Sequence, residues 1–144
     1  MVFQLAYHSL ADESLSQQDI RDILNVARTF NAKYQITGCL LYHRGEFLQI
    51  LEGKRETVEQ LFDNIRNDKR HNHVYMVSKG LHTHRLYPAW SMAYHASKAQ
   101  KIGESSQFLS IEDFKSCESA IENPSITHRL FHRIAQKILT SRKR

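Results

Sequence analysis

The chain has 144 residues, 41% of them hydrophobic, which suits one compact domain with a real core and leaves little room for two. Its formal charge of +5 invites a nucleic-acid reading, but Arg133, Arg142, Lys143 and Arg144 lie at or near the end of the chain. The remaining basic groups are interleaved with fifteen acids, so the charge reads as a solvated surface and tail.

No apolar run is long enough to cross a bilayer, and no signal region precedes the first strand pattern. Two well-separated cysteines, Cys39 and Cys117, exclude a disulfide framework or a Cys-rich zinc site and fit a reducing compartment, so a cytoplasmic protein is expected. Val2 to His8 alternates, with Phe3, Leu5 and Tyr7 on one side, which predicts a half-buried strand with Tyr7 facing inward. Ser16-Gln17-Gln18-Asp19 resembles a capping box, and Ile20, Ile23, Leu24, Ala27 and Phe30 follow at helical spacing, so a helix is expected to end near Asn31. Ile36 to His43 and Glu46 to Leu51 read as two strands joined by a tight turn at Arg44-Gly45.

The second of these strands carries Gln49, a lone amide among Phe47, Leu48, Ile50 and Leu51. Left without a partner on the face it shares with Phe47 and Leu51, it would cost about 1 to 3 kcal/mol, so a polar group is expected across from it. The amide has an acceptor at one pole and a donor at the other, and a half-turn reverses the polarity it presents, which makes Gln49 a candidate switch.

A second helix is predicted over Arg55 to Arg66, with Val58, Leu61, Phe62 and Ile65 on one face, and Val74 to Val77 reads as a further strand. Pro88 begins a last strand in which Trp90, Met92 and Tyr94 alternate with Ser91, Ala93 and His95. The order βαββαββ is the ferredoxin-like α+β arrangement with an added strand, two helices packing on one face of the sheet. Beyond Ala96 the pattern changes, dividing a core at 1–97 from a linker and helical extension at 98–144. Ser110-Ile111-Glu112-Asp113 is placed to cap one helix reaching Ile121, and Asn123-Pro124-Ser125 breaks it before a longer one carrying Ile126, Leu130, Phe131, Ile134, Ile138 and Leu139. Two C-terminal helices of this kind can cover the free face of the sheet or pair with another chain, and both arrangements stay open.

Each residue also has a plain role. Tyr7, Trp90 and Met92 would fill a core, and Asn31 would cap a helix C-terminus. Nine histidines include pairs at His71/His73, His82/His84 and His128/His132, but pairs are not a zinc site, and Cys39 has nothing nearby in sequence to activate it.

Taken together, Tyr7, Asn31, Ile36-Thr37-Gly38, Phe47-Leu48-Gln49-Ile50-Leu51-Glu52-Gly53 and Trp90-Ser91-Met92 resemble, in order from Val2 to Tyr94, the BLUF family of bacterial blue-light sensors using FAD. The C-terminal helix pair resembles that of its short, stand-alone members. The resemblance implies an FAD ring between the two core helices, edge-on to Tyr7 and Gln49, with Asn31 bonded to a ring carbonyl. It implies that Ile23, Leu40, Phe47 and Ile65 sandwich the ring, and that Arg28, Asp68, Arg70 and His71 hold the ribityl and phosphate end. No Gly-rich phosphate loop is present, so the nucleotide site rests on the resemblance alone.

The implied chemistry is a photoreceptor's and not an enzyme's. Light-excited flavin takes an electron and then a proton from Tyr7, and the return leaves Gln49 rearranged, donating to a flavin carbonyl and shifting absorption to the red. Trp90 and Met92 would carry the change into the last strand and the C-terminal helices. The resemblance further implies a homo-oligomer that binds or releases a protein partner, and the lack of a long apolar run adds the expectation of no role at a membrane. The competing reading is a ferredoxin-like nucleic-acid-binding or structural interaction domain without flavin. Against an RNA-binding sheet, the basic-Gly-aromatic run is absent, and Leu48 and Ile50 are aliphatic where stacking rings are wanted.

Overall fold

The computed structural model describes residues 1–87, 93–96, 108–109, 121 and 123–140. The chain begins with β1 (Val2–Ala11) and α1 (Gln17–Lys33), which opens on a true capping box. The Ser16 hydroxyl accepts from the Asp19 amide at 3.1 Å, and the Asp19 carboxylate accepts from the Ser16 amide at 2.9 Å. The helix passes through Asn31 to Lys33, and Tyr34 is its C-cap, followed by Gln35 at φ 59°. Asn31 is therefore not the cap expected of it. Ala32 and Lys33 are good helix formers that prolong the last turn, and Gln35 takes the left-handed position instead.

Strands β2 (Thr37–His43) and β3 (Glu46–Gly53) form the expected hairpin, and Arg44 and Gly45 both have positive φ, 50° and 83°. Two successive positive angles define the type I′ turn whose twist suits an antiparallel pair. The helix α2 (Arg55–Arg66) leads to β4 (His71–His82), and β5 (Ala93–Ala96), β6 (Phe108–Leu109) and α3 (Ile126–Thr140) complete the described elements. The sheet order is β4-β1-β3-β2-β5-β6, with β1 antiparallel to β3 and β4, β2 antiparallel to β3, and β5 parallel to β2. This is the ferredoxin-like α+β fold.

The strand β4 is much longer than the expected Val74 to Val77. Its alternation is broken by register shifts against β1 on both sides of Tyr7, and His73 within it has φ 51°. A bulged edge strand exposes residues such as Tyr75 and Met76 and carries no clean apolar period. The short β6, paired in parallel with β5, is also absent from the sequence expectation, because two residues have no period.

The sheet is covered on both faces. Phe3, Leu5, Tyr7, Phe47 and Leu51 pack with Ile20, Val58 and Phe62 of the two core helices. On the reverse face, Ala6, Leu41, Leu48 and Ile50 pack with Phe131, Ala135 and Ile138, so α3 lies on the sheet. Its start is fixed by the Ser125 hydroxyl, which accepts from the His128 amide at 3.0 Å. The helix expected over 110–121 and the Trp90 and Met92 positions lie outside the described residues, Ile121 excepted.

Gly38 has a packing reason of its own. A Cβ added there would overlap the backbone carbonyl oxygen of Ile50 on β3. Gly38→Ala should therefore part the central strand pair and cost about 3 kcal/mol, roughly 10 °C in Tm, measured by thermal denaturation.

Candidate functional site

Tyr7 and Gln49 are direct cross-strand partners of β1 and β3, and Leu40 of β2 flanks Gln49 on its other side. This register places a phenol against an amide on the inner face of the sheet. The Tyr7 hydroxyl donates to Gln49 Oε1 at 2.5 Å, and both side chains are buried. The polar group that the Gln49 amide requires is thus supplied by Tyr7. Burial pushes the Tyr7 phenol far above its ordinary range, and the negative charge of Asp68 adds to the effect. At neutral pH the phenol keeps its proton and acts as the donor.

Above this pair lies a cavity of about 260 Å³ between α1, α2 and the sheet. Ile23, Ala27 and Phe30 of α1 and Leu61 and Ile65 of α2 form its apolar walls, and Leu40 and Phe47 its floor. Asn31, buried like Gln49, brings a second amide to the lining. Drug-sized ligands occupy roughly 300 to 1,000 Å³, so the enclosed part suits one flat ring system with the remainder of a ligand projecting outward. Apolar walls with two buried amides at the lining match the edge of a flavin ring, which alternates carbonyl and N–H groups.

At one end, Asp68, Arg70 and His71 reach the cavity together. The Arg70 guanidinium donates to Asp68 from Nε at 3.0 Å and from Nη2 at 2.5 Å. That hydrogen bond holds the Asp68 carboxyl below its ordinary range despite partial desolvation. His71 Nε2 lies 2.6 Å from the Ile65 carbonyl oxygen, which can only accept, so Nε2 carries the proton. Nδ1 then accepts from the Ser9 hydroxyl at 2.8 Å. With both nitrogens engaged, His71 offers the cavity its ring, whose edge also meets Tyr7 and Phe47.

Ten of the eleven cofactor-contact residues expected from the sequence line this cavity, and Arg28 does not. Its Nε and Nη2 are buried without a hydrogen-bond partner among the described residues, and desolvation lowers its pKa. Those orphaned donors are suited to an oxygen-rich ligand tail. Val26 and Asn64 also line the cavity and are missed by sequence reasoning. Val26 is 64% exposed on the rim of α1, and the one available signal was an aliphatic residue outside the core stripe.

A family model described as sensors of blue light using FAD, BLUF, matches residues 2–93. The photoactivated adenylate cyclase subunit beta of Euglena longa is 39% identical over 89 residues, 61% of this chain and 10% of that protein. The chain thus spans about a tenth of the length of the curated relatives it matches. The ground-state structure of BlsA is 29% identical with a TM-score of 0.67, covering 100% of this chain and 91% of that one. The dark-state structure of BlrB, a BLUF protein, is 26% identical with a TM-score of 0.67, covering 94% and 96%.

Proposed function

The chain belongs to the BLUF family, sensors of blue light using FAD, and from that premise we propose that it binds FAD between α1 and α2 and converts light into a rearrangement of the Tyr7–Gln49 pair. The observation that carries this reading is the 2.5 Å hydrogen bond from Tyr7 to Gln49 on the wall of the cavity. Flavin, when bound and excited, supplies a strong oxidant. Tyr7 is the donor, because its phenol lies at the cavity and retains its proton at neutral pH.

The pair couples chemistry to geometry through hydrogen-bond polarity. In the resting arrangement Tyr7 donates and Gln49 accepts. Once Tyr7 has given up an electron and its proton, its oxygen can only accept, and the carbonyl pole of Gln49 faces it with repulsion. Rotation or tautomerisation of the amide presents a donor to Tyr7 and relieves the conflict. When the hydrogen returns, Gln49 is left in a new pattern toward the ring, and the absorption band moves to the red.

Asn31 would orient the ring, Ile23, Leu40, Phe47 and Ile65 would exclude water from it, and the Asp68–Arg70 pair would face its polar tail with Arg28 and the His71 ring. The output is a protein partner. The matched relatives are named as photoactivated adenylate cyclases, whereas the extension of this chain places α3 on the back of the sheet. We assign signalling to an intermolecular contact of a homo-oligomer, with Trp90 and Met92 as relay residues.

The test is the absorption of purified protein loaded with FAD. A yellow protein whose flavin band shifts reversibly to the red after a blue flash is expected. A protein that stays colourless after reconstitution, or that binds flavin without a shift, would overturn the reading.

A further inference from the structure

Glu52 lies on β3 three residues beyond Gln49 and just before its last residue, Gly53, and alternation with Leu48 and Ile50 places it on the face opposite the cavity. It has no exposed surface and is the one carboxylate among the buried described residues. Burying a carboxylate is costly unless its lone pairs are met, and here four donors meet them. Oε1 accepts from the Thr37 hydroxyl at 2.9 Å and from the Tyr87 amide at 2.6 Å. Oε2 accepts from the Leu86 amide at 2.8 Å and from Gln4 Nε2 at 3.3 Å. Arg85 Nη1 completes the cluster, donating to the Thr37 hydroxyl oxygen at 2.9 Å and the Glu52 backbone carbonyl at 3.2 Å.

Two of these partners, Gln4 and Thr37, are the strand neighbours of Glu52 in the register of the sheet. The other two are successive backbone amides of a segment that belongs to no strand and immediately precedes position 88. The Tyr87 ring in turn lies 6.1 Å from that of His128 on α3, within the core that contains Phe131. One buried group thus ties the strand of Gln49 to the Arg85–Tyr87 segment and, through the Tyr87 ring, to α3.

We propose that Glu52 is the positioning residue through which a rearrangement at Gln49 leaves the sheet for the Arg85–Tyr87 segment and α3. The proposal rests on the light-sensing reading above. A strand is stiff over three residues, so a shift of β3 at Gln49 changes the fit of the Glu52 carboxylate to the two amides it holds. Charge-assisted hydrogen bonds depend steeply on geometry, so the two states of Gln49 differ in energy at this contact, as a switch requires. The Glu52→Gln change disturbs it selectively. Each carboxylate oxygen accepts from one backbone amide, Tyr87 on Oε1 and Leu86 on Oε2, so the introduced NH2 faces an N–H wherever it turns.

Hydrogen–deuterium exchange of the full FAD-loaded chain, in darkness and under blue light with the absorption shift recorded on the same samples, tests the route. Wild type is expected to change its exchange at 85–87 and 126–140 on illumination. Glu52→Gln should keep the red shift and exchange the Leu86 and Tyr87 amides about tenfold faster in darkness, while losing most of the light-induced change at 126–140. Thr37→Val, which removes one donor and the bridge to Arg85, should show a smaller loss of the same kind and decides the matter if Glu52→Gln does not fold. A normal red shift with an undiminished response of 126–140 in the variants overturns the route alone. So does a wild type that shifts its absorption without changing exchange at 85–87. A wild type with no red shift overturns the light-sensing reading, and the route falls with it.

Discussion

Gln49→Leu is expected to retain bound flavin and lose the reversible red shift completely. Leucine preserves much of the glutamine volume in a site that is 4% exposed, so packing between Leu40 and Tyr7 survives. What disappears is the acceptor of the Tyr7 hydroxyl and the only group at this position whose hydrogen-bonding polarity can reverse. The buried phenol then lacks that partner, which should destabilise the flavin-free protein by about 1 to 3 kcal/mol in a denaturant titration. Difference spectra before and after a blue flash read the functional loss directly. A normal shift in the Leu variant would place the switch elsewhere than in the amide.

The Gln49 environment is legible in the sequence because two strong rules meet there. Strand alternation assigns Gln49 to the face of Phe47 and Leu51, and the cost of a buried amide demands a polar neighbour. The register then brings Tyr7 opposite it. Ile23, Phe47 and Ile65 follow from the same periodicities, read as core positions, whereas Leu40 enters with the family resemblance, which alone turns the four into the lining of a cavity.

Other parts follow rules that a periodicity does not express. The strand β4 is bulged and lies at the sheet edge, so its side chains do not alternate in burial, and a four-residue apolar stretch is all that stands out of twelve. Val26 and Asn64 border the cavity from helix rims, where a residue's contact depends on how the helices are spaced. Arg28 has helical spacing compatible with the site, but the direction of so long a side chain is set by packing. Glu52 is the sharpest case. By sequence it is a polar residue closing a strand before a glycine, and only the convergence of Gln4, Thr37, Leu86 and Tyr87 makes it a buried anchor.

Tyr7→Phe is expected to bind flavin, since the ring and its contacts with Phe62 and His71 remain, and to lose the accumulation of the red-shifted state. One hydroxyl carries three functions that phenylalanine lacks. It supplies a phenol oxidised more readily than a plain ring, a proton that can follow the electron, and the hydrogen bond that holds Gln49 in its resting orientation at 2.5 Å. A positioned proton donor is typically worth 10²- to 10⁴-fold, so the yield of the shifted state should fall by about 100-fold or more. Gln49 bears the structural consequence, because its oxygen loses the Tyr7 donor in a buried setting, and a turned amide in darkness becomes accessible. The dark spectrum of Tyr7→Phe should therefore move slightly while the light-induced difference vanishes, which separates loss of the donor from loss of the cofactor. A Tyr7→Phe protein that cycles with unchanged yield would require another aromatic to supply the electron. Trp90 would then be the residue to replace, and the phenol's role would reduce to setting the resting orientation of Gln49.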